Sequence, residues 1–261
     1  MVFLIPTIPL LFLMAVGMHS LWKKGKLEDV KRRLVVLGIV SLALGLLIPP
    51  LAYGSFHIMT VIGLTAGIWV ILSSLSEPWQ RLRSKQSLSL GVLGMTIAHI
   101  GVGVFAIGVT VTQTYRIEKD IALKPGQTAE LQGYTFEFRS TRPVAGPNYD
   151  AIESEIVVTR GGELVTTLHP QKRTYRVQTM PMTESGIHVK WNRDLFVAMG
   201  DDLGAGAWSM RLQYKPMVRY IWIGALIMAI GGVVAVSDRR YRRRRSTADE
   251  AVAAGGAATA S

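Results

Sequence analysis

Long apolar runs separated by short basic loops dominate the chain. A spanning helix needs about 20 mostly apolar residues, and five segments approach that: 2–21, 34–53, 58–75, 88–112 and 220–236. The first is interrupted by Pro6 and Pro9 and ends beside His19. It does not read as a secretory leader, because no basic stretch precedes it and Trp22-Lys23-Lys24 follows where a small-residue cleavage site belongs. Between the fourth and fifth runs the period changes from helical to two. Tyr134, Phe136 and Phe138 alternate with Thr135, Glu137 and Arg139; Leu195, Val197 and Met199 alternate, as do Trp208, Met210, Leu212 and Tyr214. Ala145-Gly146-Pro147-Asn148 marks a turn and Gly161-Gly162 a tight hairpin. The pattern predicts a polytopic α-helical membrane protein of five spans, with an extracytoplasmic antiparallel β domain inserted between spans four and five. It divides into a four-helix membrane region (1–112), a β domain (113–219) of six to eight strands in a small sandwich or barrel, a fifth span (220–236) and a basic, then disordered, cytoplasmic tail (237–261).

Composition narrows the class. Of 261 residues, 49% are hydrophobic and 18% charged, against about 25% charged in soluble domains. Mean hydropathy is +0.29. A purely soluble or wholly disordered chain is thereby excluded. There are no cysteines, which removes disulfides, thiolate metal sites and thiol nucleophiles. The net charge is +11, and about half of the 29 Lys and Arg residues lie in three segments: 22–33, 76–87 and the tail. In a five-span chain these share one side, which the positive-inside rule makes cytoplasmic. The β insert, nearly balanced in charge, is then outside. That orientation sets the N-terminus outside with almost no flanking segment, as expected if the chain is the tail end of something longer. Arg242–Arg245 borders a span, so it reads as a topology signal with an anionic-lipid role, and not as a nucleic-acid site.

His99 is the leading candidate for chemistry. It lies 14 residues after Lys85 and 17 before Arg116, hence roughly 21 Å and 25 Å from the charged borders and near mid-bilayer. An ionisable residue there is costly and marks function. Met95, Gly103 and Ala106 share its helix face, and Gly94, Ala98, Gly101 and Gly108 thin the rest. Such small residues leave space for a flat macrocycle or for a neighbouring helix. Three roles fit the spacing: a ligand of haem iron, a hydrogen bond across a helix interface, or proton transfer. His57 falls at the outer face, where a substrate-guiding role competes with a plain interfacial loop position. His19 is interfacial at the inner end. In the insert, His169, Lys172, Arg173 and Tyr175 form a basic–aromatic stretch suited to an anionic group such as a propionate, or to a solvated strand. His188 reads as a surface residue. Met180 and Met182 read as packing rather than ligands. Walker, nucleophile-elbow, dinucleotide and HExxH patterns are absent.

Several blocks, in order, resemble the C-terminal part of the CcmF family of cytochrome c maturation haem lyases. They are Met95-Thr96-Ile97-Ala98-His99-Ile100-Gly101-Val102, Gly146-Pro147-Asn148-Tyr149, His169-Pro170-Gln171-Lys172-Arg173-Thr174-Tyr175, Pro181-Met182-Thr183-Glu184, Arg193-Asp194-Leu195-Phe196-Val197-Ala198, Gly206-Ala207-Trp208, Lys215-Pro216-Met217-Val218-Arg219-Tyr220-Ile221-Trp222 and Ser237-Asp238-Arg239-Arg240-Tyr241. The resemblance runs from about Val2 to Tyr241. It departs at Gly17-Met18-His19-Ser20-Leu21-Trp22-Lys23, where the family has a Gly-Pro pattern, and the family's tryptophan-rich haem-handling motif has no counterpart here.

The resemblance implies a truncated sequence or one product of a split gene, residing in the inner membrane with its β domain periplasmic. It implies that His99 is one axial ligand of an intramembrane haem b, the second coming from a missing N-terminal portion or a separate chain, and that this haem reduces incoming haem for attachment to apocytochrome c. The implied partners are the N-terminal CcmF counterpart, a haem chaperone, and apocytochrome c with its thioredox and chaperone subunits. The β domain would then be a partner platform, and the basic–aromatic composition of His169, Lys172, Arg173 and Tyr175 makes them its candidate contact patch. Two other expectations stand beside this one: a paralogue dedicated to a nitrite reductase cytochrome, and a cofactor-free membrane scaffold displaying a β domain.

Overall fold

In the computed structural model, residues 4–18, 27–177 and 180–238 are described. The predicted features at His19, at Trp22-Lys23-Lys24 and over the tail beyond residue 238 lie outside them. The described chain forms α1 (Leu4–Gly17), α2 (Leu27–Tyr53), α3 (Ile58–Arg83) and α4 (Leu90–Tyr115), then ten strands, then α5 (Val218–Val236). Contacts divide it into two compact units, Met1–Thr110 with Tyr220–Ser261, and Val111–Arg219.

Helices α2, α3, α4 and α5 are long and apolar enough to cross a membrane. The α1 helix has 14 residues, about 21 Å at 1.5 Å per residue, short of a hydrocarbon core of about 30 Å. Two predicted boundaries move by about two turns. Helix α2 begins at Leu27, in the basic loop, and α3 runs on past Pro78 to Arg83. The apolar run ends before the helix does. Glu77 and Arg81, one turn apart and joined at 2.7 Å, carry α3 into the polar zone.

Hydrocarbon surroundings give apolar side chains no drive to associate, so these helices pack where side chains are missing. A Cβ on Gly101 would stand 2.6 Å from the Met228 amide nitrogen, and one on Gly224 2.6 Å from that of Phe105. Gly94 and Gly231 are likewise in reciprocal contact one heptad along, so α4 and α5 touch backbone to backbone. A seven-residue repeat on both helices keeps that seam closed over its length. On its other side α4 presents Gly103 to α3, where a Cβ would lie 2.7 Å from the Gly67 carbonyl oxygen. Leu11 of α1 packs with Ala66 and Val70 of α3, against Val102 and Ala106 of α4. Phe12 stands edge-on to Trp69, with centroids 5.2 Å apart.

The second unit is a two-sheet antiparallel sandwich, the first of the two predicted alternatives. Its strands are β1 (Ile117–Leu123), β2 (Thr128–Leu131), β3 (Tyr134–Ala145), β4 (Tyr149–Arg160), β5 (Glu163–Leu168), β6 (Gln171–Tyr175), β7 (Met182–Glu184), β8 (Gly186–Val189), β9 (Arg193–Gly204) and β10 (Ala207–Pro216). One sheet has the order β1-β10-β9-β8; the other runs β2-β3-β4-β6-β7, with β5 also paired to β4. Short strands such as β7, with three residues, raise the count above the predicted six to eight, because three residues show no alternation. The alternating positions make the core. Phe136, Phe138, Ile156 and Val158 from one sheet meet Leu195, Val197, Met199, Met210 and Leu212 from the other. The predicted Gly161-Gly162 hairpin joins β4 to β5, both glycines at positive φ (58° and 85°) as a primed turn requires. At the unit's ends the Thr112 hydroxyl donates to the Pro216 carbonyl at 2.8 Å.

Gly101→Leu should melt the detergent-solubilised chain at a clearly lower temperature, since overpacking costs about 1–3 kcal/mol or more. Gly232→Leu, at a glycine with no atom within 4 Å of an added Cβ, should leave the melting temperature nearly unchanged. Equal melting of the two variants would contradict the seam.

Candidate functional site

His99 sits in the uncharged stretch of α4, half-buried. Its Nδ1 lies 2.7 Å from the Met95 carbonyl oxygen one turn earlier. A carbonyl only accepts, so Nδ1 is the donor, and in the neutral tautomer this leaves the lone pair on Nε2. Nε2 makes no hydrogen bond to the described residues. One ring nitrogen anchored to a backbone carbonyl and the other free is the arrangement of a metal-ligating imidazole, whose second-shell acceptor fixes tautomer and ring direction. Met95 therefore enters through its backbone. The room left by the helix's small residues is divided: Gly94, Gly101 and Gly108 receive α5, and Gly103 receives Gly67 and Ile71 of α3. Small residues here serve helix packing. Among the described residues no group of three or more His, Asp or Glu side chains could hold a metal ion, so His99 is a single candidate ligand.

His57 caps the N-terminus of α3, and its carbonyl accepts from the Thr60 and Val61 amides at 3.0 and 3.1 Å. Its side chain is exposed.

The basic–aromatic stretch of the sandwich is split by the strand period. On β6, Gln171, Arg173 and Tyr175 face one way and Lys172 the other. Arg173 lies 4.6 Å over the Tyr149 ring and reaches Glu184 at 3.4 Å, while Tyr149 and Tyr175 pair edge-on at 5.5 Å. Lys172 instead crosses to Asp201 of β9 at 2.8 Å, joining the two sheets. That ammonium holds the Asp201 carboxyl below its ordinary value. The hub of the Arg173 face is Glu153 of β4, a buried carboxylate that the sequence patterns do not mark. It accepts from Gln171 Nε2 at 2.5 Å and Arg142 Nη2 at 2.6 Å, and His169 Nδ1 lies 3.9 Å away. The Gln171 hydrogen bond, aided by Arg142, lowers its pKa against the opposing effect of burial. No local spacing signals it, because its hydrogen-bonding partners lie 11 and 18 residues away.

Two expectations are corrected. His188 faces inward, because its cross-strand partner on β9 is the fully buried Leu195 and opposed residues share a face. Its neighbours Ile187, Val189 and Trp191 are the exposed side chains. Burial, with Arg193 and Lys190 nearby, pushes the His188 pKa below 6.5, and its Nε2 is buried without a hydrogen-bond partner. Met180 and Met182 are exposed rather than packed.

Apolar helices of spanning length together with an inserted antiparallel β-sandwich define a multi-span membrane protein with one β domain, and three comparisons place it further. Residues 114–216 match the family model described as the CcmF C-terminal beta-sandwich. The cytochrome c-type biogenesis protein CcmF of Escherichia coli (strain K12) is 37% identical over 94% of this chain, and that of Pseudomonas fluorescens 38% identical over 95%; in each case 38% of the relative is covered. The cytochrome c-type biogenesis protein NrfE of Haemophilus influenzae is 33% identical over 73% of the chain. A solved structure titled cytochrome c heme lyase CcmF shares the fold, with a TM-score of 0.74 and 22% identity, over 88% of this chain and 38% of that one. The chain belongs to the CcmF family, as its C-terminal part, and spans under two-fifths of the curated relatives' length.

The His188 shift carries a sign. A histidine whose folded pKa is depressed binds fewer protons folded than unfolded, so stability falls as pH drops from about 6.5 toward the folded value and is level above. Protection of the β9 amides against hydrogen exchange in the full chain should decline over that window, and His188→Leu should flatten it. An unchanged pH profile in the variant would show that His188 is not the titrating group.

Proposed function

We propose that this chain is the C-terminal portion of a cytochrome c maturation haem lyase, in which His99 supplies one axial ligand of a haem b held within the inner membrane. The single observation that carries the proposal is the state of His99: placed in the apolar stretch of α4, Nδ1 anchored on the Met95 carbonyl, Nε2 unengaged. That donor set fits haem iron, for which a neutral imidazole avoids burying a charge. One ligand on this chain fits a site completed from outside it, by an N-terminal counterpart, as the coverage of 38% of each relative invites. When bound, the haem supplies a one-electron couple able to keep an incoming haem iron reduced before its attachment to apocytochrome c. The chain's own part is narrower: His99 binds, the Met95 carbonyl orients the ring, and packing of α4 against α3 and α5 holds the helix that bears them.

Basic residues flanking α2 and α3 support a cytoplasmic location for that end of the helices, which would set the sandwich in the periplasm. There the sandwich meets the other participants: the haem chaperone, and apocytochrome c with its thioredox and chaperone subunits. Arg173 and Tyr175, with His169 beside Glu153, form one contact surface, and Lys172 lies on another.

The test is c-type cytochrome yield in cells whose own relative is deleted, with this chain produced beside the N-terminal counterpart. His99→Ala should lower the yield about tenfold or more while the two chains still co-purify. In the same assay Arg173→Glu should weaken co-purification of the periplasmic partners. Full yield from His99→Ala would leave the chain as a cofactor-free scaffold.

A further inference from the structure

A groove of about 900 Å³ lies where the start of α2 meets the end of α3. Its inner wall is Leu37, Leu72 and Leu75, and its outer end carries Arg33, Arg83 and Trp79. The chemical gradient follows the helices. Arg33 is the last charge before the uncharged stretch of α2, and Arg83 closes α3 after its own uncharged stretch. From Arg33 to Leu37 the helix rises about 6 Å, so cationic and apolar walls lie within one headgroup of each other. Trp79, 64% exposed, is the residue type enriched at a membrane–water boundary.

Among the described residues the charge at the outer end is uncompensated, and no Asp or Glu lines the groove. Glu77, on the neighbouring turn of α3, is held by Arg81, whose Nε and Nη2 reach the same oxygen at 3.1 and 2.7 Å. Among the described residues neither Arg33 nor Arg83 has an ion-pair partner. A complementary occupant is therefore apolar at one end and net negative at the other. Two planar guanidiniums favour phosphate oxygens over a point charge. A zwitterionic headgroup would leave their charge unmatched, because its own cation offsets its phosphate.

We infer that this groove is a binding site for an anionic phospholipid of the leaflet at the basic end of the helices, its phosphate held between Arg33 and Arg83 and an acyl chain laid along Leu37, Leu72 and Leu75. The site is separate from His99 and does not rest on haem ligation.

The experiment is native mass spectrometry of the detergent-solubilised full chain, titrated with phosphatidylglycerol and with phosphatidylcholine of the same acyl chains. Phosphatidylglycerol should be retained preferentially. Arg33→Gln and Arg83→Gln should each weaken its retention about fivefold, the fold-change corresponding to about 1 kcal/mol per basic residue at a membrane surface. Arg32→Gln, outside the groove lining, should weaken it little. Glycerol 3-phosphate, with the anion but no acyl chain, should not displace the lipid. If a variant fails to fold, the wild-type preference and the competition arm still decide. Equal retention of the two lipids, unchanged retention in folded Arg33→Gln and Arg83→Gln, or displacement by glycerol 3-phosphate would each overturn the site.

Discussion

The membrane unit depends on places where side chains are missing. Between α4 and α5 two glycines on each helix, one heptad apart, bring backbone against backbone. Between α4 and α3, Gly103 and Gly67 do the same. In a hydrocarbon solvent such contacts supply the van der Waals packing that apolar side chains, equally content in lipid, do not. They also fix what α4 can present. At 100° per residue the α5-facing and α3-facing contacts of α4 lie on nearly opposite sides, and His99 stands within about 40° of Gly103, beside the α3 seam. The helix is clamped from both sides, and the ring it carries is anchored a second time by the Met95 carbonyl. A ring held this way would lose little freedom on ligating an iron, as the proposed role requires.

The sandwich is organised by a different rule. Side chains of opposed residues share a face, so cross-strand register decides which groups meet. Glu153 opposes Gln171, and the residues two positions along, Ala151 and Arg173, continue the same face. Lys172 opposes Ile152, which packs on the core, and so reaches the other sheet at Asp201. One five-residue strand thus supplies a solvent-facing arginine–tyrosine cluster and an inter-sheet ion pair. Lys172 is partly shielded while Asp201 is 85% exposed, so solvent screens the pair and it adds little to stability. The buried core of Phe, Leu, Ile, Val and Met side chains carries the stability.

What could be read beforehand was what local periodicity encodes. The four long helices follow from apolar runs of about 20 residues, and the alternating core strands and the Gly161-Gly162 hairpin from spacing within a dozen. Features set by distant partners were not legible. Helix α3 outlasts its apolar stretch because a polar turn stabilised by Glu77 and Arg81 is still a helix, and hydropathy measures only apolarity. His188 reads as a surface residue because the apolar Ile187, Val189 and Trp191 alternate with it, yet pairing with Leu195 turns it inward. Glu153 was invisible for the same reason. The case of His99 is instructive because burial cost alone left three roles open. The direction of its two ring nitrogens, which no sequence spacing contains, favours ligation over a contact between helices.

The most direct measurement is a reduced-minus-oxidised optical spectrum of this chain co-purified with its N-terminal counterpart, comparing wild type with His99→Ala at equal protein and intact assembly. A b-type signal present in the wild type and lost in the variant is the predicted result. A b-type signal of equal size in both would remove His99 from the iron and contradict the proposed site.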